Sequence, residues 1–122
     1  MKKMLLIGAM LLSGTAAAET VLFEPADGRR YVGDEFNARE AKQVLYQDRP
    51  CQLPIVNAKD MHEYASPITH PSKACWGRLL GGDVVVVFDD GYTLKMPESA
   101  FVTATVDKTG QARVTKSVYK RP

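Results

Sequence analysis

Apolar positions along this chain recur with two different periods. In Tyr92-Thr93-Leu94-Lys95-Met96 they alternate. Tyr92, Leu94 and Met96 fall to one side and Thr93 and Lys95 to the other, which predicts a half-buried strand. Val84-Val85-Val86-Val87-Phe88 is unbroken, which predicts a central strand covered on both faces. Residues 20–23, 73–80, 101–106 and 112–119 read as further strands, with Pro97 closing the one that begins at Tyr92. Turn signals separate them at residues 25–28, 81–83, 89–91 and 107–111. After the first turn, residues 29–32 can return as a hairpin partner of 20–23. Between residues 37 and 47 the period changes. Ala38, Ala41, Val44 and Leu45 stand at i, i+3, i+6 and i+7, behind Asn37 as a cap with Glu40 three residues later. That pattern predicts a helix, stopped by Asp48-Arg49-Pro50. At ~15 Å it would be marginal alone, so it must pack on the strands. A shorter helix is expected from Asn57 to about Tyr64. The fold class is therefore α+β: a small antiparallel β meander with one short packed helix and one disulfide.

The start of the chain sets the expected compartment. Met1-Lys2-Lys3 is basic, residues 4–12 are apolar except for Gly8, and Ala16-Ala17-Ala18 supplies small residues for a peptidase. These are the parts of a cleavable secretory signal over residues 1–18, cut before Glu19. The apolar run falls far short of the ~20 residues that span a bilayer. Residues 19–122 then form a single domain in the periplasm or the medium, with no transmembrane segment. The removal of Lys2 and Lys3 leaves 14 basic against 14 acidic side chains, so the formal charge of +2 belongs to the leader. A neutral exported chain gives no reason to expect nucleic acid as a partner. The basic end, with Arg113, Lys116, Lys120 and Arg121, reads as a solvated edge strand.

Cys51 and Cys75 are the two cysteines of the chain. In an oxidising compartment they have one intramolecular pairing, and their spacing fits neither a C-x-x-C redox motif nor a zinc finger. Closing that loop is worth about 3.5 kcal/mol in the chain-entropy picture. Pro54, Pro67 and Pro71 lie within it, so residues 52–74 are expected to be an irregular loop and a candidate contact surface.

The chain from Cys51 through Ala74-Cys75-Trp76-Gly77, the valine run, Asp90-Gly91 and Pro97 to Phe101 resembles small exported bacterial proteins of unknown function. The resemblance covers about half of residues 19–122. It implies a fold and a compartment, and no activity.

Candidate chemistry is sparse. Asp89-Asp90-Gly91 could pair carboxylates, but aspartate before glycine between apolar strands is foremost a hairpin turn. His62, His70 and Ser66 lie near Asp60 and Glu63, and a hydrolase would have to draw on those histidines. No nucleophile elbow, zinc-protease motif or phosphate loop occurs. No catalytic residue, metal ligand or cofactor is therefore assigned. Trp76 must face opposite to Cys75, either packed in the core or exposed as an anchor. His62, Tyr64, His70 and Trp76 are the candidate binding residues. The expectation is a non-enzymatic binding protein, an inhibitor or envelope adaptor, whose partner is a protein or envelope component. A small hydrolase and a self-associating envelope component are the alternatives.

Overall fold

The computed structural model describes residues 18–25, 30–66 and 70–122, with only the backbone of 70–72. The leader-like segment 1–17, residues 26–29, where most of the expected first turn falls, residues 67–69 of the expected loop and the side chain of His70 lie outside the described residues.

Among the described residues nine strands form one antiparallel sheet: β1 (Glu19–Phe23), β2 (Glu35–Asn37), β3 (Val44–Pro50), β4 (His62–Ser66), β5 (His70–Arg78), β6 (Asp83–Phe88), β7 (Thr93–Pro97), β8 (Val102–Val106) and β9 (Gln111–Lys116). Their order across the sheet is β2-β9-β8-β1-β3-β4-β5-β6-β7. From β3 to β7 the order follows the chain, as a meander does. β1 is inserted between β8 and β3, and each of its edges is paired with one of them. Residues 30–32, the described part of the expected 29–32 hairpin partner, therefore do not form a strand beside β1.

Two separate cores lie on opposite faces of this sheet. Val21, Phe23, Phe36, Val44, Val102, Ala104, Val106, Ala112 and Val114 build the first. Leu22, Leu45, Tyr64, Trp76, Val84, Val86, Phe88 and Phe101 build the second. β1 and β3 feed both, because neighbouring residues on a strand point to opposite faces. The described residues contain no second layer, so each core is closed by curvature of the sheet itself. Two contacts fix the curvature. Phe23 on β1 stacks on Phe36 of β2 with ring centroids 3.9 Å apart, although β8 and β9 separate those strands. Gln43, just before β3, donates from Nε2 to Met96 Sδ of β7 at 3.4 Å, although β4, β5 and β6 intervene. A flat sheet would put each pair roughly 14–19 Å apart. The sheet thus curls one way around the first core and the opposite way around the second.

The expected α+β class is overturned, for no α-helix occurs among the described residues. Asn37 does cap: its Oδ1 accepts from Arg39 N–H at 2.9 Å. The turn it starts is a single 3-10 turn, Ala38–Glu40, after which Ala41 is extended. The apolar residues that predicted a helix are buried nonetheless, Ala38, Ala41 and Val44 in the first core and Leu45 in the second. Residues 38–43 carry the chain from β2 to β3, and two small alanines let that crossing close the first core. The second expected helix shrinks likewise to the 3-10 turn Ala58–Asp60, followed by β4.

Two smaller expectations also change. The valine run is β6, next to the outermost strand rather than central, with Val84, Val86 and Phe88 buried and Val85 and Val87 half-buried. The basic strand β9 is not an edge, because β2 pairs along it. The hairpin β8–β9 and the Asp89-Asp90-Gly91 turn stand as expected, Gly91 supplying the positive φ of 93°.

Candidate functional site

Within the predicted irregular loop 52–74, residues 62–66 and 70–74 belong to β4 and β5, and the irregular part among the described residues is the link between β3 and β4. That link is pinned at several points. Cys51, next after Pro50, forms the disulfide with Cys75 on β5. Cys51 N–H donates to Met61 O at 3.1 Å. Buried Met61 lies against Gly77 of β5, where a β-carbon would stand 3.4 Å from Met61 Cγ. A side chain longer than alanine at 77 would have to displace Met61. Asn57 takes a left-handed conformation at φ 64°, a backbone that asparagine tolerates better than most residues. The result is a fixed loop that leaves Val56 85% exposed.

The turn between β5 and β6 leaves the same end of these strands. Leu79 N–H donates to Asp83 O at 2.8 Å and Gly82 N–H to Leu79 O at 3.2 Å, so its backbone is also ordered. Leu80 at its tip is fully exposed and Leu79 is 41% exposed. One end of the β3–β6 meander thus displays three large apolar side chains on constrained backbone. The Leu79-Leu80-Gly81-Gly82 sequence, an apolar pair running into a turn, is the signal that could have revealed them.

The residues singled out from sequence meet on the β4–β5 pair. His62 is in register with Trp76 and Tyr64 with Ala74. They face the second core rather than solvent. Trp76 is completely buried and its Nε1–H donates to Tyr46 O at 3.0 Å. His62 is half-buried, its ring centroid 5.5 Å from that of Trp76. Tyr64 is 5% exposed and donates from its hydroxyl to Gln43 Oε1 at 2.7 Å, while Gln43 Nε2 donates to Glu24 Oε1 at 2.7 Å. Burial raises the Tyr64 phenol pKa above its ordinary value. The backbone of His70 pairs with Ser66. Arrangement of Trp76, Tyr64 and Gln43 in this way ties strands together.

A polar cluster stands on the other face. Arg49 donates from Nε and Nη2 to the two carboxylate oxygens of Glu19 at 2.7 Å each and from Nη1 to Glu63 at 3.0 Å. Its guanidinium lies 3.9 Å from the Tyr46 ring centroid. Arg49 is thereby held in the charged form, chiefly by the Glu19 hydrogen bond. The register shift between Leu45 and Pro50 lets Tyr46 and Arg49 share this face.

Among the described residues no three histidine, cysteine, aspartate or glutamate side chains come together as a metal-binding group. No described helix is long and apolar enough to cross a membrane. Comparison with family models, with curated proteins and with solved structures finds no match to this chain.

Proposed function

We propose that this chain is an exported, non-enzymatic binding protein that docks a protein or envelope component through the disulfide-stapled end of its sheet. The observation that carries this reading is the display of Val56 and Leu80 on pinned backbone. Burial of such a side chain is worth about 1.5–3 kcal/mol, and a contact loop already ordered loses little further entropy when it binds. Location in the periplasm or the medium is supported by the leader-like residues 1–18 and by an oxidised cysteine pair, which suits an oxidising compartment.

Affinity capture from envelope extract tests the reading. The oxidised protein is expected to retain a discrete partner, and Val56→Asp/Leu80→Asp to lower its recovery about tenfold, the equivalent of ~1.4 kcal/mol. His62→Ala/His70→Ala should leave capture unchanged. Equal recovery by wild type and the Val56/Leu80 variant would overturn the assigned surface.

A further inference from the structure

The open end of the first curl holds a recess of about 190 Å³ between the β8–β9 turn, the 3-10 turn after β2, and β3. Ala38 and Val106 line it with apolar surface, and Tyr46 and Arg49 form one wall. Arg39 and Lys108 stand at its rim. Neither forms an ion pair among the described residues. The Tyr46 hydroxyl likewise has no hydrogen-bond partner among them.

The frame around these groups is fixed. Asn37 Oδ1 holds the Arg39 backbone N–H at 2.9 Å. Asp107 Oδ1 accepts from Thr109 N–H at 2.9 Å, Thr109 Oγ1 at 2.6 Å and Gln111 N–H at 3.0 Å, so the turn carrying Lys108 is tied from within. Arg49 is occupied by Glu19 and Glu63. Two cations and a phenol, with no ion pair or side-chain hydrogen bond of their own among the described residues, are thus presented to one recess that Asp107 also lines.

We propose that this recess binds a small monocarboxylate with an apolar body, its carboxylate between Arg39 and Lys108 and its body against Ala38, Val106 and Tyr46. The charge balance selects the class. Arg39, Arg49 and Lys108 are balanced by Asp107, Glu19 and Glu63, so the surroundings are neutral overall; a monoanion between Arg39 and Lys108 leaves one excess negative charge near Asp107 and a phosphate dianion leaves two, which favours the monoanion. The fork of Arg39 matches carboxylate geometry. The recess shares no lining residue with the apolar side chains proposed for docking, and the inference does not depend on that reading.

The test is a nuclear magnetic resonance titration of the oxidised full chain with sodium benzoate, inorganic phosphate and benzylammonium as probes. Benzoate is expected to give saturable shifts at Tyr46, Val106 and residues 107–110. Arg39→Gln and Lys108→Gln, each keeping the dispersed spectrum of the folded protein, should each weaken benzoate about tenfold. Both are exposed positions, and either variant suffices if the other fails to fold. The proposal is overturned by an absence of saturable benzoate shifts, by tighter binding of phosphate or benzylammonium, or by unchanged benzoate affinity in a folded variant.

Discussion

Trp76 is the largest side chain wholly removed from solvent in this protein, and it is also a hydrogen-bond donor. Its ring fills the second core, while its indole N–H crosses β4 to reach the Tyr46 carbonyl on β3. Arg78 sits 5.1 Å from the same ring and pairs with Glu98, so the indole is covered at its rim as well. These roles can be separated. Trp76→Phe keeps an aromatic ring but strands a buried carbonyl, and should lower stability by about 1–3 kcal/mol. Trp76→Ala adds a cavity and should cost about 3–5 kcal/mol. Urea denaturation followed by far-ultraviolet circular dichroism measures both. If Trp76→Phe is as stable as wild type, the indole hydrogen bond contributes nothing.

β3 is the element on which both halves of the molecule depend. Val44 packs in the first core, Leu45 in the second, and Arg49 joins β3 to β1 and β4 through carboxylates. At 29–41% side-chain exposure those ion pairs are each worth only ~0.2–1 kcal/mol. The disulfide at the end of β3 is the stronger clamp. Cys51→Ser/Cys75→Ser should lower unfolding free energy by about 3.5 kcal/mol through the entropy of the opened chain. It should also admit protease selectively between residues 52 and 60, where no ladder hydrogen bonds protect the backbone. A double variant as protease-resistant there as wild type would show that Met61 and Gly77 hold the loop without the bond. The helix expected over residues 37–47 gave way to β3 because β1 and β4 pair with Val44 and Leu45 from either side. Alanines at i and i+3 followed by Val44 and Leu45 satisfy helical spacing, yet Val44 and Leu45 serve opposite faces equally well as neighbours on a strand.

Across the whole molecule, one sheet encloses two cores with opposite curvature, and β1 and β3 form the shared wall. Stability should be distributed accordingly. Amides of β1 and β3 cannot open without exposing both cores, whereas β2, three residues long, and β7, with alternately exposed side chains, are edges. Native-state hydrogen exchange should therefore be slowest in Leu22 and Leu45 and fastest among the strands in β2 and β7. Comparable protection of β7 and β1 would mean that the edge is covered in solution, as self-association through β7 would do.

The sequence by itself determined where most strands run, that the chain turns at Asp90-Gly91, that Cys51 and Cys75 pair, and that Ala38, Ala41, Val44 and Leu45 are buried. Each follows from chemistry within a few neighbours or from the single pairing two cysteines allow. Tertiary structure alone decided that Val44 and Leu45 lie on a strand, that β1 enters between β8 and β3, and that Trp76 is sealed inside. It alone brought Arg39, Tyr46 and Lys108 around one recess. The physical reason is that the described residues supply no second layer: burial of both faces comes from curling the sheet, and curvature depends on contacts such as Phe23 with Phe36 and Gln43 with Met96. Those partners are distant in the chain, and no local period records them.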